Sequence, residues 1–221
     1  MRRKIWLAVL AIMLISCQVA AEEEDFMPAD VFAGGGPTLG LMTLDLERLN
    51  AKLTANGFAP LEESLILYGG GGSAGVNGIA LGGWGLSGES VSTKGNKQAY
   101  LTASFAGFHP ERYVRFGPVT LSIGVLLGGG SAELTLYDGT ATDFDSAINK
   151  RYETTLKANG MVIGPTLSAR VKFANFIHLQ AGVGYLYTTA REWKHRDYAI
   201  SGLPAIPDGT YYTIGMVFGG P

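Results

Sequence analysis

The chain has 221 residues, enough for one domain with a sizeable core. Charged residues make up only 16%, hydrophobic ones 47%, and mean hydropathy is +0.17, which excludes a disordered chain; 32 glycines without a Gly-X-Y period exclude collagen. A formal net charge of −2 argues against a nucleic-acid partner read through phosphates, and the single cysteine, Cys17, excludes disulfide frameworks and zinc clusters.

Arg2, Arg3 and Lys4 precede the apolar run Ile5 to Ile15, and small residues follow. This order predicts a signal peptide over residues 1–21 and an exported chain. The run is too short to cross a bilayer as a helix. Val19-Ala20-Ala21 suits cleavage before Glu22, whereas Leu14-Ile15-Ser16-Cys17 suits cleavage before Cys17, which would then be a lipid anchor. An acidic segment, 22–32, leads into a single domain over 33–219.

No apolar stretch after residue 21 is long enough for a spanning helix. Period-two alternation dominates, and predicts strands at about 34–45, 63–72, 77–88, 97–108, 115–137, 152–173, 176–190 and 209–219. The pattern is clearest late in the chain. Val119, Leu121, Ile123, Val125 and Leu127 oppose Thr120, Ser122 and Gly124. Met161, Ile163, Leu167, Val171 and Phe173 oppose Gly164, Thr166, Ser168, Arg170 and Lys172. Ile177, Leu179, Val183, Tyr185 and Tyr187 oppose His178, Gln180 and Gly182. The alternation changes phase at Gly128 to Gly130, where a bend is expected. Between the first two strands, Asp45 to Asn56 carries Leu46, Leu49 and Leu53 at helical spacing, with Gly57 as a ready C-cap, and predicts a short helix on a barrel end or at the membrane interface.

The connectors then sort into two sets. Those at about 46–62, 89–96, 138–151 and 191–208 are long, and those at about 73–76, 109–114 and 174–175 are short. Antiparallel strands alternate in direction, so the long loops share one end and the short turns the other, as in outer-membrane barrels. Asn159-Gly160 would serve as a hairpin turn, and with Gly129-Gly130 would raise the count from eight strands to ten. Phe108, Tyr113, Phe116, Phe173 and Phe176 near the short turns, with Tyr185, Tyr187 and Trp193 near the long loops, suit two interfacial belts. The fold class is all-β: a closed antiparallel up-and-down barrel of about eight strands with one short helix.

Over roughly residues 33–219 the chain resembles the small outer-membrane β-barrels of the eight-stranded OmpA and OmpX kind, in architecture rather than in motif. Tyr212, Ile214, Met216 and Phe218 look like the aromatic-ended last strand of that group, and Gly219-Gly220-Pro221 extends beyond its usual end. The resemblance implies outer-membrane lipid and the barrel-insertion machinery as partners. The protein partner, if any, is not legible.

Few residues suggest chemistry. Arg170, Lys172, His178 and Gln180 share the polar face and form a candidate lumen cluster. Burying the two cations is costly, which predicts carboxylate or water partners for them near the short turns. His178 with Ser168 would make an acyl-hydrolase pair only if the two touch, and no orienting carboxylate is assignable. Arg191, Trp193, Lys194 and Arg196, with His195, form a basic aromatic patch suited to lipid phosphates. Gly83-Trp84-Gly85-Leu86-Ser87-Gly88 matches GxGxxG but no helix is predicted after it, so a dinucleotide site is not expected. Asp138, Asp143 and Asp145 lack EF-hand spacing. No cofactor, metal or catalytic residue is expected. The leading reading is a non-enzymatic outer-membrane barrel that stabilises the envelope, presents its loops or forms a narrow pore. The alternative is a soluble periplasmic barrel or lipoprotein, tethered through Cys17, with an apolar ligand inside.

Overall fold

Eight long strands pair antiparallel and close on themselves in the computed structural model, which describes residues 31–139, 153–189, 192–196, 198–201 and 208–220. They are β1 (Val31–Leu44), β2 (Ser64–Val76), β3 (Ile79–Lys94), β4 (Lys97–Phe116), β5 (Val119–Asp138), β6 (Glu153–Ala174), β7 (Ile177–Thr188) and β10 (Gly209–Gly220). The β1–β10 and β5–β6 pairings close the ring, so the barrel has no free edge. Two short strands, β8 (Trp193–His195) and β9 (Tyr198–Ile200), form a hairpin hung on β6. One helix, α1 (Glu47–Ala55), lies between β1 and β2. Cys17, the signal peptide and the acidic segment up to residue 30 lie outside the described residues, as does Arg191.

Several connectors differ from the sequence reading. The short turn after β2 is Asn77-Gly78, not 73–76; both residues have positive φ, 50° and 82°, as a two-residue hairpin matching strand twist requires. Residues 109–114 are not a connection but part of β4, and the turn is Gly117-Pro118. The expected long loop at 89–96 shrinks to Gly95-Asn96, because β3 and β4 stay paired as far as Lys94 and Lys97. Asn159 and Gly160 pair with Ser131 and Gly130 in mid-strand, so the barrel has eight strands, not ten. No bulge accompanies the phase change at Gly128 to Gly130: pairing to β4 and β6 keeps one register on both sides of these glycines.

The phase change instead divides the barrel into two halves. Toward the short turns the outward side chains are apolar: Leu121, Ile123, Leu127, Leu167, Val171, Ile214 and Met216 are all exposed. Met161 is 65% and Leu167 56% exposed, and Ile163 is half-exposed. Along β5 and β6 this band covers eight to twelve residue steps, roughly 20–30 Å once tilted, which fits a bilayer core. Beyond it the outer face turns polar, with Glu133 and Lys157 paired at 2.8 Å and Thr135 facing Thr155. There the apolar residues turn inward, Leu101, Ala132, Leu134, Leu156 and Val162 joining one buried cluster.

Helix α1 fills the loop-end bore. Leu46, Leu49 and Leu53 pack inward with Met42, Leu44, Leu65, Leu67 and Leu101. The helix ends in a Schellman motif: Phe58 N–H donates to the Leu53 carbonyl and Gly57 N–H to that of Thr54, both at 3.0 Å, with Phe58 and Leu53 buried in one cluster. Asn50 clamps the returning chain, its amide donating to the Leu61 carbonyl at 2.9 Å and accepting from Leu61 N–H at 2.8 Å. Ser92 and Lys97 bind the carbonyls of Ala59 and Asn56, tying the plug to β3 and β4.

Candidate functional site: the polar half of the bore

Below the plug, aromatic side chains lie across the bore. Trp84 meets Phe105 at 5.8 Å and Tyr211 at 5.6 Å between ring centroids, and His109 at 6.0 Å. A Cβ at Gly184 would collide with the Tyr211 ring, so this glycine makes room for it. The deck separates the apolar plug from polar residues closer to the short turns.

In that lower bore His109 Nε2 lies 2.7 Å from the Thr166 hydroxyl, and Ser122 and Ser168 share a hydrogen bond of 2.7 Å. Arg170 donates from Nε and Nη2 to Gln180 Oε1 at 3.3 and 3.1 Å, and its guanidinium sits 4.9 Å above the Phe32 ring. Phe32 is held edge-on by Tyr113 at 5.2 Å. A cavity of about 80 Å³ is lined by Trp84, His109, Glu111, Arg170, Gln180 and Tyr211, among others. A second, of about 150 Å³, lies nearer the short turns between Arg115, Arg170, Lys172 and His178.

Arg170, Lys172, His178 and Gln180 do come together, lining these two cavities. Arg170 takes a neutral amide and an aromatic face, with the Glu111 carboxylate in the same cavity. Sequence reading missed Glu111 and His109, because residues 109–114 read as a turn, and Arg115, because that residue was read as the start of the next strand and not as the end of β4. Their alternation with Phe105 and Tyr113 was a usable signal, but Pro110, unable to donate to a ladder, obscured it.

Other candidate residues are dispersed. Ser168 pairs in register with Gly182 and His178 with Lys172, so Ser168 and His178 lie four steps, roughly 13 Å, apart along the sheet, too far for nucleophile and base. Trp193 is 2% exposed, seated among Met42, Leu46, Leu49 and Val162, so it anchors the β8–β9 hairpin to the plug instead of facing lipid. Tyr113 is likewise buried inside and leaves the short-turn belt. That belt consists of Phe116, Phe173, Phe176 and Phe218, with tyrosines such as Tyr68, Tyr185 and Tyr212 nearer the loop end. Lys194 and Arg196 are exposed on the β8–β9 hairpin, and His195 hydrogen-bonds the Thr155 carbonyl at 3.0 Å. The GxGxxG residues lie inside β3 with no helix after them. Asp138 pairs with Lys97 at 2.8 Å, while Asp143 and Asp145 lie outside the described residues. Among the described residues, no three His, Cys, Asp or Glu side chains group as metal ligands.

No family model matches the chain, and no curated protein sequence is similar to it. Solved structures are. Ail, the attachment invasion locus protein of Yersinia pestis, aligns over 87% of this chain and 99% of its own at 10% identity and a TM-score of 0.50. Neisserial surface protein A covers the same shares at 9% identity and 0.49. The outer-membrane protease OmpT of Escherichia coli aligns over 90% and 99%, at 9% identity and 0.38. Closed eight-stranded pairing, an apolar outer band and the fold shared with Ail define the class: a small outer-membrane β-barrel.

Proposed function

We propose that the protein is a non-enzymatic, non-conducting outer-membrane barrel that carries its loop end beyond the lipid for contact with a partner. One observation carries this reading: past the apolar band the strands continue with a polar outer face around a bore filled by α1. Eight strands leave room for little more than side chains, and at the loop end leucines occupy that room, which argues against a continuous path for water. A narrow pore is therefore the weaker reading. Stabilising the envelope alone would not require strands that outreach the band or a packed core above it. The separation of His178 from Ser168 removes the one hydrolase pair suggested by sequence. Insertion is expected to use the barrel-insertion machinery, reading the lipid-facing Tyr212, Ile214, Met216 and Phe218 of β10.

The test places a thiol at the tip. Either maturation route leaves no other free thiol, since Cys17 is removed or lipidated. An Asn96→Cys variant should react with a membrane-impermeant maleimide on intact cells, and the purified protein should give no conductance steps in planar bilayers. Labelling only after the outer membrane is permeabilised, or regular single-channel steps, would overturn the proposal.

A further inference from the structure

The apolar band on the outer wall is interrupted by one charge. Strand β4 turns Glu111 and Tyr113 into the bore, where both are buried, and so directs Arg112 between them to the lipid side, with Val114 and Phe116 following on the same face. Register sets Arg112 in one row with Ile79 on β3, Ile123 on β5 and Leu167 on β6, all three exposed to lipid. Between the phenylalanine belt and the tyrosines nearer the loop end, every other outward position among the described residues is uncharged. An arginine on a lipid-facing wall is costly unless its head reaches water or an anion. Arg112 interacts within the chain as well, but its fork of N–H donors can serve a neighbour and a lipid together. Phe116, in the belt, lies four residues nearer the turn, roughly 10 Å along the barrel axis. On the other side, polar outer positions begin only at Ser104, eight residues and roughly 20 Å away. The nearer headgroups are therefore those on the short-turn side. The extended side chain spans roughly 6 Å of that distance, and a bilayer thins around a charge to close the remainder.

We propose that Arg112 binds the phosphodiester of a glycerophospholipid in the leaflet on the short-turn side, drawing that headgroup inward past Val114 to the barrel wall. The guanidinium offers paired N–H donors to two phosphoryl oxygens, a geometry that suits arginine better than lysine. Snorkelling toward the interface lets the apolar stem of the side chain stay in hydrocarbon while its head meets the phosphate. A second copy of the chain docked along the band would not supply the counter-charge, because the same wall carries no carboxylate among the described residues. The site is independent of any partner at the loop end, and it holds β4 at a fixed depth in the membrane.

The experiment folds the mature protein, isotopically labelled at arginine Cζ, into vesicles of phosphatidylethanolamine and phosphatidylglycerol. Solid-state NMR then measures dephasing of the Cζ carbons by lipid phosphorus. A hydrogen-bonded phosphate puts its phosphorus about 4 Å from Cζ, close enough for strong dephasing. Three chains are compared: the native one, Arg112→Lys, and Arg112→Val/Val114→Arg, which moves the guanidinium one outward position closer to the headgroups. Arg112→Lys keeps the charge, and the boiling-dependent gel shift confirms that each barrel is closed. The native chain should exceed Arg112→Lys by one arginine's share of dephased signal, and the double variant should recover that share. Equal dephasing in the native and Arg112→Lys chains overturns the site. So does a loss that Arg112→Val/Val114→Arg fails to recover, which marks a shifted barrel instead of a lost phosphate bond.

Discussion

The plug that closes the bore depends on one amide side chain. Replacing Asn50 with Ala removes both bonds to Leu61, at 2.8 and 2.9 Å, and leaves its N–H and carbonyl without their partner in a partly buried place. Each such bond contributes on the order of 1 kcal/mol, and each stranded group costs about 1–3 kcal/mol, so about 2–4 kcal/mol is expected in all. The loss should fall on local opening of α1 and the 56–63 return, because the barrel ladder is untouched. At about 1.4 kcal/mol per decade, amide hydrogens from Asn50 to Phe58 should exchange roughly 30- to 1,000-fold faster, while those of β6 and β7 keep their protection. Asn50→Asp is a sharper probe: it retains an acceptor for Leu61 N–H but sets a carboxylate against the Leu61 carbonyl, so it should not rescue the plug. Equal loss of protection throughout the barrel, or acceleration below about threefold in α1, would refute a locally clamped plug.

Two further substitutions test the division of the barrel. Ile123→Arg puts a charge on the outer wall within the apolar band and should cost about 2–4 kcal/mol in urea unfolding from vesicles, whereas Thr135→Arg, on the same wall of β5 above the band, should stay within about 0.5 kcal/mol. Equal costs would place the lipid boundary elsewhere. Tyr211→Phe removes a buried hydroxyl that has no hydrogen-bond partner, and should leave stability unchanged or raise it by about 1 kcal/mol in the same assay; a clear loss would mean that the hydroxyl is paired.

The sequence readily disclosed what depends on local pattern. Clean alternation in 119–127 and 161–187 placed β5, β6 and β7 within a few residues, and leucine spacing with Gly57 placed α1. What it concealed were facts of pairing. Gly95-Asn96 looked like part of a long loop because Glu89 to Lys94 is polar, although a strand above the membrane is polar outside by necessity. His109-Pro110-Glu111-Arg112 looked like a turn because charge and proline are unusual in a strand, although His109 and Glu111 point into a polar bore. Pro110 and Pro165 flank outward-facing Val125 in the register, and the missing ladder contacts lie beside them. Arg170 and Lys172 were legible as inward residues, but Arg115, their neighbour across Thr120, required the register of β4 and β5.

The ambiguity over which face points inward has a physical resolution that alternation alone could not supply. A strand side chain keeps its side of the sheet for as long as register holds, so the same wall meets lipid along one stretch of β5 and water along the next. The sequence answers by exchanging polarity between faces at Gly128 to Gly130, which carry no side chain committing them to either solvent. A bulge would have exchanged faces as well, but by shifting the pairing on β4 and β6, and neither neighbour shows such a shift there. The lower half can therefore keep a polar bore inside lipid, while the upper half is built like a soluble barrel with its own apolar core. Its packing also explains the burial of Trp193: a core that closes above the membrane can recruit an aromatic anchor from a loop, whereas a polar bore offers that ring no apolar seat.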